Sequence, residues 1–317
     1  MTRRGWALFA AMAVIWGIPY LLIKIAVGEL TPASLVLLRT AIGAALLLPV
    51  AAARGWLAPL VPHWRWILAY TAVEVSLPWF LLADGERRLS SSLTGLMIAA
   101  VPLIAAVLQS LTRGDDRLDR RRATGLLVGL FGVALLVGLN VSFKDLRAVA
   151  EVGLVAVGYA AGPIIIARRL PGLPAVGVVA ASLALTALVY APLALPQLPR
   201  ALPSSQVLMA VLILGVVCTA LAFLLFFALI GEVGPVRATV ITYFNPAVAL
   251  VLGVTLLREP FTLGAVVGFS LILLGSVLAT RRTSALAGPA AAPSSSPWGA
   301  GARDTRERRR RSRGSGR

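Results

Sequence analysis

The sequence is poor in the residues that build metal centres, disulfides and charged surfaces. Only 14% of its 317 residues are charged, whereas soluble domains carry about 25%. The single cysteine, Cys218, excludes a disulfide framework and a cysteine-based zinc site. The single histidine, His63, excludes a multi-histidine metal centre, and its Pro/Trp/Arg surroundings favour an interfacial residue. We therefore expect neither a metal nor another cofactor.

Acidic residues are also scarce, and the formal net charge of +17 raises the question of nucleic-acid binding. Eight of the thirty basic residues lie in the last fifteen positions, and most others lie in short loops between apolar runs. That distribution is typical of a polytopic membrane protein, and we expect no nucleic-acid partner. Residues 284–317 are rich in Pro, Gly, Ser and Arg, which predicts a disordered basic cytoplasmic tail. The tail either stays solvated and reinforces the orientation or lies against anionic lipid.

What the sequence does have is long apolar runs, which make up most of its 58% apolar residues. About 20 such residues form a helix that crosses a bilayer. The runs are continuous rather than alternating, which predicts helices and not barrel strands. An all-α integral membrane protein with ten transmembrane helices is therefore expected, the helices covering residues 6–27, 33–53, 65–83, 90–112, 122–140, 148–168, 173–195, 206–230, 235–257 and 262–280.

The second half of the chain repeats the first with an offset of 144 residues. Pro246 aligns with Pro102, and Cys218 aligns with Glu74. Five spans in each copy is an odd number, so the copies must have opposite orientations in the membrane. We therefore predict two inverted-topology five-helix repeats, residues 6–140 and 148–280. In transporters with such repeats the substrate site lies near mid-membrane, between the halves.

The distribution of Lys and Arg predicts the orientation. With the N-terminus inside, inner loops and ends through Arg282 hold fourteen basic residues, and outer loops hold six. The positive-inside rule then places both termini in the cytoplasm of a multi-pass protein of the cell (inner or plasma) membrane.

Several blocks of the sequence resemble the EamA-type transporters of the drug/metabolite transporter superfamily. They are WGIPYLLIK, TPASLVLLRTAIGAALLL, FLLADGERRLSSSLTGLMIAAVPLIAAVL and FALIGEVGPVRATVITYFNPAVALVLGVTLLREPFTLGAVVGFSLILLGSVLA. The resemblance covers residues 6–280 and implies a ten-helix inverted repeat that exports or exchanges small metabolites by alternating access. Where the family often has Glu after the fourth span, this chain has Asp115 and Asp116, while the second copy keeps Glu259.

These observations favour a secondary transporter of a small organic metabolite, amino acid or drug-like compound, most simply an exporter. No ATP-binding P-loop occurs, so the chain itself does not use ATP. A passive channel and a membrane-embedded enzyme are the alternatives, but the spans lack a Ser/His/Asp set, a metal set or paired carboxylates. The expected partners are the substrate and the lipid bilayer, in a monomer or a homodimer.

Three ionisable residues fall inside predicted spans, where a charge is costly and needs a reason. Lys24 either contacts substrate or extends to the lipid head groups. Arg39 is either a substrate or counter-ion partner or a structural anchor. Glu74, near mid-membrane, is the candidate for proton coupling, unless it is fixed in a pair with Lys24 or Arg39.

Aromatic residues supply further candidates for the substrate cavity. Trp16, Tyr20 and Lys24 are spaced by four and should share one helix face, which suits a planar or anionic solute. Ordinary helix packing is the alternative for each aromatic residue. The other cavity candidates are Trp79, Tyr159, Tyr243 and Asn245.

Prolines and glycines indicate bends and close contacts. A proline inside a helix frees a carbonyl and kinks the helix. The predicted hinges or kinks are at Pro78, Pro102, Pro163 and Pro246. Glycines spaced by four let helices approach closely, either within one chain or in a dimer. Such pairs occur in the last span of each half, at Gly125, Gly129, Gly264 and Gly268.

Overall fold

The computed structural model describes residues 2–112 and 120–280, and in these residues it is helical without a β-strand. Nine helices in this part of the chain are long and apolar enough to cross a membrane, and a tenth apolar helix is shorter. We number them in chain order: span 1 Arg3–Ala26, span 2 Pro32–Ala53, span 3 Ala58–Glu86, span 4 Ser91–Leu111, span 5 Arg120–Asn140, span 6 Phe143–Arg169, span 7 Ala175–Gln197, span 8 Ser205–Val233, span 9 Val240–Leu256 and span 10 Leu263–Thr280.

The predicted spans agree with these helices except at several ends. Span 3 begins earlier than predicted because a 3₁₀ turn, Ala58–His63, precedes its first α-helical turn. The helix of span 9 is shorter than predicted because the preceding backbone, Thr239–Tyr243, is a 3₁₀ segment. Asp115, Asp116 and the tail 284–317 lie outside the described residues.

Local sequence signals set several of the helix ends. The hydroxyl of Thr31 accepts a hydrogen bond from Ser34 N at 3.2 Å, and Pro32 occupies the first turn, where its missing N–H costs nothing. The hydroxyl of Ser90 caps span 4 in the same way through Leu93 N. Span 8 ends at Gly234, whose φ of 82° is accessible to glycine without strain.

Three of the spans are interrupted next to a proline. Span 1 consists of Arg3–Ile15 and Pro19–Ala26, separated by a short turn. Span 4 consists of Ser91–Ile98 and Val101–Thr112, and Pro102 lies in the first turn of the second part. In the other half, Pro246 lies in the first turn of Asn245–Leu256, after the 3₁₀ segment. The interruptions before Pro102 and Pro246 are thus at matching places in the two halves.

Spans 3 and 8 share a rarer feature. Each contains a π-helical stretch, Thr71–Ser76 in span 3 and Val216–Leu221 in span 8. Glu74 and Cys218 lie within these stretches. The π-helix is rare in proteins and is frequently found at functional sites.

Each span packs mainly against a span of the other half. Span 5 packs against span 10, span 2 against span 7 and span 4 against span 9, while span 1 packs against span 8 and span 6 against span 3. Glycines allow the closest of these contacts: a Cβ at Gly125 or Gly132 of span 5 would meet backbone atoms of span 10. Large apolar side chains such as Leu127, Phe131 and Leu188 point outward and are more than half exposed. This apolar exterior fits the acyl chains of a bilayer.

Candidate substrate cavity and the face that closes it

A cavity of about 670 Å³ lies between span 4, span 6 and the 3₁₀ segment at the start of span 9. Its size is within the range of small-molecule sites, about 300–1,000 Å³. Four residues predicted from the sequence line it: Pro102, Tyr159, Pro163 and Tyr243. The other lining residues are Val101, Ala105, Ala106, Gln109, Ser110, Arg122, Ala160, Ile164, Ala167, Arg168, Val240, Thr242, Ala279 and Thr280.

The cavity reaches one face of the protein. Ser110, Arg122, Arg168 and Thr280 line it from the last or first turns of spans 4, 5, 6 and 10, all of which have that end at the same face. We call it the open face. The described lining contains two arginines and no carboxylate.

At the opposite face, which the cavity lining does not reach, a contact centred on Glu259 joins the two halves. This residue follows Arg258, whose φ of 55° turns the chain after span 9. Its Oε1 accepts from Ser91 N at 2.8 Å, and its Oε2 accepts from Ser92 N at 2.9 Å and Ser92 Oγ at 2.5 Å. A carboxylate at a helix N-terminus is stabilised by the free N–H groups and by the helix dipole. We call the face closed by this contact the sealed face.

Lys24 contributes a second contact at the sealed face. Its Nζ donates to Glu86 O at 2.6 Å and to Leu89 O at 2.7 Å. A cation at a helix C-terminus satisfies free carbonyls and interacts favourably with the dipole. In this conformation Lys24 therefore fixes the end of span 3 to span 1, and it does not line the cavity.

Arg39 lies in the buried interior of the protein. Its side chain is 7% exposed, its Nε donates to Thr219 Oγ1 at 3.0 Å, and its guanidinium lies 3.7 Å from the centre of the Trp79 ring. The Thr219 hydroxyl in turn donates to Leu214 O at 2.7 Å. This guanidinium therefore joins spans 2, 3 and 8 through a hydrogen bond and a cation–π contact, and neither Arg39 nor Trp79 lines the cavity.

Glu74 faces span 6 from the π-helical stretch of span 3. Its Oε2 is buried without a hydrogen-bond partner, and it lies against Gly162, where an added Cβ would collide with the carboxylate. Neither Lys24 nor Arg39 forms a salt bridge with it in the described residues. Tyr159 and Pro163, from the same helix as Gly162, line the cavity, but Glu74 itself does not.

The remaining predicted residues lie in packing contacts. Trp16 makes an edge-to-face contact with Phe223 and a tilted contact with Phe226 of span 8, whereas Tyr20 is buried next to Gly95 of span 4. With Lys24 directed to span 3, the three residues of the predicted helix face contact three different spans. Asn245 is 9% exposed, and its amide lies 3.1 Å from Ala13 O.

The predicted kinks and glycines also have defined neighbours. Pro78 packs against Gly158 of span 6. Gly125 and Gly268 lie between spans 5 and 10 of one chain, Gly264 contacts Leu139 and Asn140, and Gly129 lies against Leu103 of span 4.

One polar residue of this region was not anticipated: Glu86, whose side chain is completely buried. In the sequence it belongs to a polar cluster, Asp84 to Arg88, beyond the predicted end of the third span at residue 83. A cluster of charges at a span end predicts a solvated loop. The helix in fact continues to Glu86, which turns this side chain inward.

Comparison with known proteins agrees with a membrane transporter. The chain is 24% identical over 293 residues to an uncharacterized transporter of Archaeoglobus fulgidus, covering 88% of this chain and 99% of that one. It is 24% identical to the uncharacterized transporter YvbV of Bacillus subtilis (88% and 92% covered) and 28% identical to the uncharacterized inner membrane transporter YedA of Escherichia coli K12 (86% and 89% covered).

A solved crystal structure shares the fold, with a TM-score of 0.62 at 21% identity, over 87% of this chain and 96% of the other. The sequence model of the EamA-like transporter family matches residues 3–138 and 149–281. These two matched segments of the family model together cover most of the chain. The protein is therefore a multi-pass membrane protein that belongs to the EamA-like transporter family.

Proposed function

We propose that this protein is a secondary transporter that exports a small organic metabolite, amino acid or drug-like compound by alternating access. The observation that carries the proposal is the cavity of about 670 Å³, which reaches the open face and is closed at the sealed face by contacts between the halves. A passive channel needs a path through both faces. One open and one sealed face is the arrangement of a carrier in one of its two states.

The same proposal includes a ten-helix inverted repeat. Its support is the matching interruptions before Pro102 and Pro246, the matching π-helical stretches, and the pairing of spans across the halves. Two halves of opposite orientation can exchange conformations, which opens one face as the other closes. With both termini in the cytoplasm, as the distribution of Lys and Arg predicts, the open face is cytoplasmic.

Proton coupling through Glu74 completes the proposal. One proton moving down about 100 mV supplies about 2.3 kcal/mol, and a pH difference of one unit adds about 1.4 kcal/mol. At about 1.4 kcal/mol per decade, the total would sustain a solute gradient of about 500-fold. A single titrating carboxylate is therefore sufficient in energy.

Counterflow in proteoliposomes tests this function. Vesicles preloaded with an unlabelled amino-acid mixture should take up the ¹⁴C-labelled mixture faster than empty vesicles, because only a carrier shows trans-stimulation. Repeating the assay with nucleosides and with a cationic dye covers other solute classes. Equal rates with and without preloading for a solute that does cross would contradict a carrier and support a channel.

The Glu74→Gln variant tests the coupling in the same vesicles. We expect its counterflow to continue while its uptake no longer responds to an imposed pH gradient. Glu232→Gln, at the open face, is the matched control and should keep that response. An unchanged response in Glu74→Gln would show that the coupling does not depend on Glu74.

A further inference from the structure

Glu86 is a buried acid that the transport proposal does not use. Its side chain is 0% exposed, and both of its carboxylate oxygens lack a hydrogen-bond partner. Among the buried polar atoms without a partner in the described residues, Glu86 is the only carboxylate that contributes both oxygens. Burying an ionised carboxylate without hydrogen-bond donors is costly, so such a group holds a proton or another cation.

The cations around Glu86 are engaged elsewhere. The charged and titratable groups that act on it are Lys24 and Tyr20 of span 1, Arg39 of span 2, Tyr159 of span 6 and Glu259 between spans 9 and 10. The Lys24 ammonium donates to two backbone carbonyls, and the Arg39 guanidinium to Thr219. Glu259 adds a second negative charge to the region.

The charged residues of the neighbouring turn do not neutralise Glu86 either. Arg147 pairs with Glu151 at 2.7 Å and with Asp84 at 3.4 Å. Arg87 lies 3.9 Å from Asp84. These pairs do not include the Glu86 carboxylate, which in the described residues has neither a salt-bridge partner nor a hydrogen-bond donor.

Glu86 is also part of the segment that closes the sealed face. Lys24 binds the carbonyl of Glu86 itself and that of Leu89, and Glu259 binds the N–H groups of Ser91 and Ser92. Both contacts between spans thus lie within seven residues of backbone that begin at Glu86. If these contacts break, the segment moves and water reaches the carboxylate.

We propose that Glu86 is a proton-binding site whose occupancy is linked to closure of the sealed face. When this face closes, a carboxylate oxygen of Glu86 takes one proton from the solution on that side. When the face opens, hydration favours the carboxylate, and the proton returns to the same side. Because linkage is reciprocal, acid on that side stabilises the sealed conformation. The inference rests on the proposed alternating access, and it adds a second proton site distinct from Glu74.

Thiol labelling at the sealed face tests the linkage. The full chain with Cys218→Ser, in lipid nanodiscs, carries either Leu93→Cys, in the first turn of span 4 and 7% exposed, or the exposed Arg88→Cys. The measured quantity is the ratio of the maleimide labelling rate at Leu93→Cys to the rate at Arg88→Cys. Taking this ratio cancels the pH dependence of the thiol itself. From pH 5.5 to 8.0 this ratio should rise at least about fivefold, since linkage to one proton allows up to about tenfold per pH unit.

Variants assign the pH dependence to one group. In Glu86→Gln, which mimics the protonated acid, the ratio should stay low at every pH, whereas Glu86→Asp should keep a rise. Glu74→Gln and Glu259→Gln should also keep it. Protonation of Glu259 would weaken the seal in acid, which is the opposite direction. A rise retained in Glu86→Gln, or no rise in the parent protein, would overturn the proposal.

A second measurement uses the protein without substitution, so that the proposal can still be tested if the Glu86 variants fail to fold. Dicyclohexylcarbodiimide is apolar and reacts with protonated carboxyl groups in membranes. Peptide mass spectrometry should find Glu86 modified at pH 5.5 and several-fold less modified at pH 8.0. Absence of modification at Glu86 at both values would also refute the proposal. Neither experiment measures transport, so a failed counterflow assay leaves the result on Glu86 standing, and the reverse also holds.

Discussion

The open and sealed faces of this protein are built from the same kinds of helix ends, but these ends are joined differently. At the sealed face, Glu259 and Lys24 bind backbone N–H and carbonyl groups at the ends of spans 4 and 3. At the open face, the described contacts include Tyr243 Oη with Thr280 Oγ1 at 3.4 Å and the hydrogen bond from Thr2 to Glu232. There the ends of spans 4, 6 and 10 surround the cavity.

At the sealed face these two contacts are single charges placed on helix ends, and the Arg147–Asp84 ion pair, which joins spans 6 and 3 there, is partly exposed to solvent rather than buried. Breaking a buried salt bridge leaves two charges without partners in an apolar medium, which is costly. When Glu259 or Lys24 leaves its helix end, water at the protein surface can solvate both partners. Contacts of this kind can therefore form and break during a transport cycle at moderate cost.

The largest effect should come from removing the Lys24 contact. Lys24→Met keeps the length and apolar stem of the side chain but loses two hydrogen bonds from a charged donor, worth about 3 kcal/mol together. Opening of the sealed face should then raise labelling of the Leu93→Cys reporter by at least about tenfold, which corresponds to about 1.4 kcal/mol. Lys144→Met changes an exposed lysine at the same face and serves as the control. Equal labelling in both variants would mean that Lys24 does not hold this face closed.

Much of the fold could be predicted from the sequence because hydrophobic length is read directly from it. The apolar runs, the helical class and the interruptions near Pro102 and Pro246 depend on local properties of the chain. The π-helical stretches around Glu74 and Cys218 could not be predicted. A π-helix differs from an α-helix only in its hydrogen bonds from residue i to i+5, and the amino-acid composition of these stretches does not indicate that change.

The site was harder to predict because its contacts join distant parts of the chain. Tyr159 and Tyr243 do line the cavity, but Lys24 binds carbonyls more than 60 residues away. The role of Glu259 depends on Ser91 and Ser92, 167 or 168 residues earlier, and no local pattern indicates that pairing. Glu86 was missed because its position beside two arginines resembles a loop.

The packing of span 5 against span 10 does not distinguish the two faces. A substitution in this contact should have a smaller effect than removal of the Lys24 contact. A Cβ at Gly125 would lie 2.6 Å from Ala279 N and 2.8 Å from Gly275 O, and neither backbone atom can move aside. Gly125→Ala should therefore lower the free energy of unfolding by about 2 kcal/mol, as overpacking does. Thermal unfolding in detergent measures the change.

Gly138 in the same helix is the matched control for Gly125. Nothing lies within 4 Å of a Cβ built there. Gly138→Ala should leave stability unchanged or raise it by up to about 1 kcal/mol, through helix propensity. If the two variants behaved alike, the close contact between spans 5 and 10 would be disproved. Labelling of the sealed face should not respond to either substitution.

The smallest expected effect concerns Glu29, which joins the loop before span 2 to the start of span 8 at the sealed face. Its Oε2 accepts from Ser204 N at 2.8 Å. Hydrogen bonds from the side chain and the backbone of Ser204 lower the pKa of Glu29 below its ordinary value of 4.5. Because the pKa is lower in the folded state, this contact stabilises the protein above about pH 4.5 and is lost as the pH falls through the folded value.

Glu29→Gln should therefore narrow the difference in unfolding temperature between pH 7 and pH 3.5. Asp145→Asn, a substitution in the first turn of span 6 at the same face, should narrow this difference less. The group is exposed, so salt screens it, and 0.5 M NaCl should reduce the difference between the two variants. A Glu29→Gln protein with the acid sensitivity of the parent would show that this loop contact does not contribute to the sealed face. The sealed face would then depend on Lys24, Glu259 and the Arg147–Asp84 pair, which bind the ends of membrane-spanning helices rather than a loop.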